Sequence, residues 1–284
     1  MPAHSECAID VAPGLTMSCR RYSGGNKTPV ICIPGLTRNA SDFADLAPKI
    51  AATGRDVTAV SLRGRGKSDY DPDYLNYHPL TYRNDILLAL DKMNLREAIF
   101  VGTSLGGIVT MLTNEGAPER VKAAIINDVG PDLAPEGLAR IASYVGKSAG
   151  SAETIEEAAA RIRAINEVAF PDAIDDDWIV FAQRTFRQTE DGKWTLDYDP
   201  NIARGLAENG PAPDLWPSFE SLKNTPTLVI RGAISDLLSA DIVERMRVVH
   251  PSFDYAQVPR IGHAPMMTEP AAWSALEAFL SKID

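Results

Sequence analysis

Cysteine and histidine are both scarce. The 284 residues hold three cysteines, Cys7, Cys19 and Cys32, and four histidines, His4, His78, His250 and His263. No C-x-x-C pair and no H-E-x-x-H occurs, so neither a structural zinc nor a helix-borne zinc hydrolase site has support, and no metal is expected. The opening Met1-Pro2-Ala3-His4-Ser5-Glu6 lacks a basic region followed by an apolar one. With an odd number of thiols, that points to a reducing cytoplasm. No apolar run approaches the roughly 20 residues of a membrane span, so no membrane partner is expected. Basic charge is short as well: 28 Lys and Arg against 38 Asp and Glu leave a net charge of −10. That balance argues against nucleic acid or an anionic membrane as the main partner. Repeats and low-complexity tracts are also missing.

What is present is ordinary globular material, 45% hydrophobic and 23% charged. The length suits one large α/β domain with an inserted lobe, although a TIM barrel would fit by length alone. Residues 7–11 and 15–22 are short β-type runs around Pro13-Gly14, the pattern of an edge hairpin. Residues 28–34 (TPVICIP), 56–62 (DVTAVSL), 97–101 (EAIFV), 121–129 (VKAAIINDV) and 226–231 (PTLVIR) are apolar enough for buried parallel strands. Helical patterns lie between them, on Phe43, Leu46, Ala47 and Ile50, over residues 81–94, and on Ile242, Val243 and Met246. A last strand, 253–258, and a helix carrying Trp273, Leu276, Leu280 and Ile283 close the chain. Strand alternating with helix predicts a doubly wound, mostly parallel sheet with its site at the carboxyl ends of the strands.

The rhythm breaks over residues 132–221. Ile155, Ala158, Ala159, Ile162, Ile165 and Ala169 mark one amphipathic helix; Ile174, Trp178, Phe181 and Thr185 mark another. Asp191-Gly192-Lys193-Trp194 has the composition of a turn, and Pro211-Ala212-Pro213 through Trp216-Pro217 that of a return linker. This stretch is much longer than an ordinary crossover. It is therefore expected to be a helical cap inserted into a core made of residues 1–131 and 222–284.

The chemistry concentrates in Gly102-Thr103-Ser104-Leu105-Gly106-Gly107, between an apolar strand and a buried helix. A serine nucleophile must stand clear of the sheet on a sharp turn, and side chains at the flanking positions would clash. The N–H of Leu105 then lies at a helix N-terminus, where donors suit a developing oxyanion. Serine needs a base, and His263, in a loop after the last strand, is the candidate. His250 precedes Pro251 and is expected at the surface, and His78 sits in a loop before Pro79. The base needs a carboxylate. Asp236, just past a buried strand, gives the order Ser104, Asp236, His263; Asp128, also at a strand end, is its rival. A second oxyanion donor is expected in the N–H of Leu36, in the loop after the first long parallel strand. Arg63-Gly64-Arg65-Gly66-Lys67-Ser68 looks like a phosphate loop but has the spacing of neither common phosphate motif.

Taken together, Pro34-Gly35-Leu36, residues 62–68, the Ser104 turn, the Gly232 to Asp236 segment and Gly262-His263 resemble the capped α/β-hydrolases over nearly the whole chain. The resemblance departs at Pro34, where many relatives carry histidine, and at Ser61, where they carry aspartate. It implies an α/β-hydrolase fold with Ser104, Asp236 and His263 as catalytic residues, Leu36 and Leu105 as oxyanion donors, and no cofactor. Serine at position 104 sets the chain apart from the dehalogenases and epoxide hydrolases of that superfamily, which use aspartate there. The expected substrate is a small carboxylic ester, thioester or lactone. One alternative is a carbon–carbon hydrolase of carboxylate-bearing diketones, with Arg38 pairing with the carboxylate. Another is a receptor-like member that binds ligand without turnover. Trp178, Phe181, Phe186 and Trp194 either line an apolar acyl pocket or pack the cap.

Overall fold

The computed structural model of the protein describes residues 4–146, 150–210 and 213–283. Met1 to Ala3 of the opening segment, and Pro211 and Ala212 of the expected return linker, lie outside the described residues. The strands are β1 (Ser5–Ala12), β2 (Leu15–Ile33), β3 (Arg55–Val60), β4 (Ala98–Thr103), β5 (Val121–Asn127), β6 (Phe186–Gln188), β7 (Trp194–Leu196), β8 (Thr227–Gly232) and β9 (Asp254–Val258). All but β6 and β7 join one seven-stranded sheet in the order β1-β2-β4-β5-β8-β9, with β3 paired to β2. From β2 through β9 that path is parallel; β1 and β2 form an antiparallel hairpin.

Two runs expected as separate strands are one bent strand. In β2, Cys19 and Tyr22 face Val60 and Val57, and then residues 30–32 face residues 57–59, so both arms flank β3. The bend falls at Gly24 and Gly25. A Cβ on Gly24 would lie 2.2 Å from the Arg55 carbonyl oxygen, and Gly25 has φ 151°, so only glycine fits. In the hairpin, register sets Cys7 opposite Cys19, and the two are joined by a disulfide. The odd cysteine count concealed this pairing, which leaves buried Cys32 as the free thiol among the described residues.

Strand alternation sends side chains to two faces, each with its own core. Ile31, Ile33, Phe100, Ile126 and Val229 pack on one face beneath helices Pro79–Lys92, Leu105–Gly116 and Ala240–Val249. Val30, Cys32, Ile99, Val101, Ile125 and Leu228 pack on the other beneath Leu46–Ala51 and Pro270–Leu280. Between β5 and β8 the chain runs through helices Pro135–Tyr144, Ile155–Asn166, Asp175–Thr185 and Ile202–Glu208 and the β6–β7 hairpin. Trp178, Phe186, Ala158, Ala159 and Ile162 give this segment a small core of its own. Helix Pro135–Tyr144, not expected from the sequence, buries Gly137. That glycine packs against the chain at Asp236, where the Gly137 N–H donates to the Asp236 carbonyl at 2.9 Å. No helix among the described residues is long and apolar enough to cross a membrane.

The glycine- and arginine-rich loop after β3 is structural. Arg63 forks onto Asp85 (Nε to Oδ2, 2.7 Å) and also pairs with Asp71, all three side chains being buried. His250, expected at the surface, is 2% exposed, because Phe219 and Phe253 close over its ring. Burial holds its imidazole below the usual range.

Replacing Arg63 by leucine would leave two buried carboxylates unpaired. We expect a loss of about 3–5 kcal/mol, seen as a lower urea midpoint with unchanged slope.

Candidate active site

Ser104 stands at the turn between β4 and helix Leu105–Gly116, with φ 53° and ψ −116°, a conformation an L-residue adopts only when its surroundings impose it. The glycines on either side allow it. A Cβ on Gly106 would lie 2.0 Å from the Ile33 carbonyl oxygen, and one on Gly102 would lie 2.3 Å from that of Gly106. The Ser104 N–H is itself held by the Asn127 carbonyl at the end of β5 (2.9 Å).

His263 Nε2 lies 2.9 Å from Ser104 Oγ, and its Nδ1 lies 2.8 Å from Asp128 Oδ2. A carboxylate only accepts, so Nδ1 carries the proton toward Asp128 and Nε2 is left to accept from the serine hydroxyl. The structure therefore brings together Ser104 and His263 as expected, but the carboxylate behind the histidine is Asp128 and not Asp236. Asp128 follows β5 directly, next to the strand that presents Ser104, and its φ of 56° turns the side chain beneath the His263 loop. Fully buried, it is held by the Gly232 N–H at 2.7 Å and the Ser235 hydroxyl at 2.6 Å. Asp236 lies farther along its loop and is claimed by Arg140 of helix Pro135–Tyr144, Nε to Oδ2 at 2.5 Å and Nη2 to Oδ1 at 2.9 Å. That charge-assisted pair holds the Asp236 carboxyl below its ordinary range.

Residues missed from sequence support this arrangement. Asn127 Nδ2 donates to the Pro265 carbonyl at 2.7 Å and to Thr103 Oγ1 at 3.1 Å, tying the histidine loop to the nucleophile turn. Arg65 is fully buried and has no carboxylate within ion-pair distance among the described residues. It donates to the Leu36 carbonyl at 2.9 Å and to Tyr82 Oη at 2.9 Å, with the Tyr82 ring centroid 4.8 Å from its guanidinium. Its presence in a glycine-rich loop was the only sequence signal. Ser61 Oγ accepts the Ala40 N–H at 3.1 Å and ties the chain beyond Arg38 to the end of β3.

A cavity of about 100 Å³ opens on Ser104 and His263, lined by Gly35, Leu36, Arg38, Ile141 and Tyr144 among others. Leu36 is thus at the site, and Leu105 follows Ser104 at the first turn of its helix. Arg38 also reaches the cavity wall, but its guanidinium forks onto Asp42 (Nε to Oδ2, 2.7 Å), donates to Thr185 Oγ1 and lies 4.2 Å over the Phe181 ring. Burial raises the Tyr144 phenol above its usual range, so it stays protonated. Among the described residues no group of three or more His, Cys, Asp or Glu side chains is placed to hold a metal.

A serine poised by a histidine and a carboxylate at the carboxyl edge of a mostly parallel sheet defines a class of hydrolase fold. A model described as the alpha/beta hydrolase family matches residues 30–276. The chain belongs to that family and is a hydrolase. It is 32% identical over 255 residues to the 3-hydroxybutyrate-oligomer hydrolase of Cupriavidus necator, covering 87% of this chain and 86% of that protein. It is 24% identical over 249 residues to the 2-(acetamidomethylene)succinate hydrolase of Mesorhizobium japonicum, covering 88% and 85%. The crystal structure of an alpha/beta hydrolase from Novosphingobium aromaticivorans superposes with a TM-score of 0.93 at 38% identity, over 100% of both chains.

The two aspartates can be told apart by kinetics. Asp128→Asn should lower kcat by a factor on the order of 10⁴, by leaving the imidazole in the wrong tautomer. Asp236→Asn should keep kcat within roughly tenfold of the parent, measured on the same ester.

Proposed function

We propose that the protein is a serine hydrolase of small carboxylic esters, with thioesters and lactones within its chemical reach. The observation that carries this is the unbroken hydrogen-bonded line from Ser104 Oγ through His263 to Asp128. Ser104 Oγ attacks the carbonyl carbon as its proton passes to His263 Nε2. The carbonyl oxygen becomes an oxyanion, for which the N–H groups of Leu36 and Leu105 are the donors. The imidazolium, stabilised by Asp128, gives its proton to the leaving alcohol as the carbon–oxygen bond breaks. A water, deprotonated by His263, then releases the acid and restores Ser104. Residues 1–131 and 222–284 form the catalytic core in this proposal, and residues 132–221 form the cap that covers it.

The name of the Cupriavidus necator relative fits an ester substrate. The alternative of a carboxylate-bearing diketone rested on Arg38, whose pairing with Asp42 leaves a substrate carboxylate to compete with one already in place. The alignment of all three side chains supports turnover over ligand binding alone.

Exposure to a fluorophosphonate probe followed by intact-mass analysis tests the proposal. A single adduct on the parent protein, missing from Ser104→Ala, is expected; an unlabelled parent that is folded would defeat it. Arg65→Met tests the oxyanion loop. Removing a buried, unpaired charge should leave the urea midpoint unchanged or raise it, while kcat falls about tenfold or more as Leu36 loses its support.

A further inference from the structure

A second cavity, of about 300 Å³, lies beside the first and is walled by Ile162, Ile165, Phe186, Leu196 and Tyr198. It belongs to the segment between β5 and β8, and its wall is mainly apolar. The two cavities share Thr37, Arg38, Tyr144, Asn166 and Phe181, so they meet at the Arg38–Phe181 stack. Arg38 lies near Ser104: Arg38 Cγ and Ser104 Cβ are both in ordinary contact range, 3.5 Å and 3.7 Å, of the position a Cβ on Gly35 would take.

The geometry decides which half of a substrate would enter. The leaving alcohol must sit where His263 can protonate it, beside Ala264, Pro265 and Met266, and none of these lines the second cavity. The carbonyl oxygen must face the Leu36 loop, and the second cavity opens from that loop at Thr37 and Arg38. The acyl arm is therefore the half that points into it.

Arg38 then meets the arm at the entrance. A guanidinium has five N–H groups. Two of those of Arg38 go to Asp42 and one to Thr185, so one hydrogen on each terminal nitrogen has no partner among the described residues. With its charge already matched by Asp42, Arg38 is suited to a neutral acceptor such as a carbonyl oxygen. We propose, on the basis of the serine-hydrolase reading, that the acyl arm is aliphatic, occupies the Ile162–Leu196 cavity, and carries a second carbonyl that Arg38 recognises. An oligoester whose next ester unit follows the scissile one has that form.

The test uses p-nitrophenyl acetate, pentanoate, hexanoate and 4-oxopentanoate. Parent enzyme should prefer hexanoate to acetate in kcat/KM, and Leu196→Trp, which fills the cavity, should lower that hexanoate-to-acetate ratio at least roughly tenfold. The 4-oxopentanoate should exceed pentanoate about fivefold, the size of one hydrogen bond. That preference should vanish in Arg38→Met/Asp42→Leu, which removes the fork without stranding its carboxylate. An unchanged ratio in Leu196→Trp, or no preference for the keto ester, overturns the proposal even where Ser104 takes the fluorophosphonate. If Ser104 is not labelled, the hydrolase reading fails separately. Calorimetric binding of p-nitrophenyl hexanoate to Ser104→Ala, with and without Leu196→Trp, then decides on the cavity: weaker binding with tryptophan supports it, and equal binding refutes it.

Discussion

The buried carboxylate of Asp128 is the constraint on which the site depends. A charge with no exposure is tolerable only if its oxygens are satisfied, and here they accept from Gly232, Ser235 and His263. Those donors come from the end of β8, the loop after it and the loop after β9. Because Asp128 leaves β5, one side chain binds three neighbouring strand ends together. The direction of the His263 ring, and hence its distance to Ser104, follows from that satisfaction.

Around this centre, other polar contacts fix loops that have few apolar residues of their own. Asn127, one residue earlier, holds the histidine loop and the nucleophile turn. Arg65 holds the Leu36 loop from beneath, its charge spread over tyrosine faces in place of an acid partner. Buried polar groups of this sort are costly if left unmade, so each loop has one well-defined resting place. The helical segment is coupled to the core in the same currency. Arg140 grips Asp236, Arg38 reaches Thr185, Arg184 reaches Asp45 and Arg260 reaches Asp172, so ion-assisted contacts hold it against the core.

Much of this was legible in the sequence. The alternation of apolar strands and helices, the Gly102 to Gly107 turn, the His263 loop after the last strand and the helical interruption after β5 all rest on local patterns, and local patterns survive in one dimension. Ser104 was legible because its strained turn demands glycines at fixed spacing. The bent β2 was not, since its break at Gly24 and Gly25 resembles any loop until β3 lies between the two arms. His250 was misplaced because Phe219, thirty-one residues earlier, closes over it. Cys7 and Cys19 met only through hairpin register.

The choice between Asp128 and Asp236 separates what sequence and tertiary structure each decide. Both aspartates end or follow a buried strand, both sit in turn-forming company, and nothing adjacent distinguishes them. The sequence by itself determined the strands, the glycine-framed turn that presents Ser104 and the loop that carries His263. Which carboxylate meets His263 was decided by Arg140, ninety-six residues away from Asp236 along the chain, and by the left-handed turn at Asp128. The physical reason is that a hydrogen bond is decided by distance and direction in space. An arginine that captures one carboxylate leaves the other to the histidine.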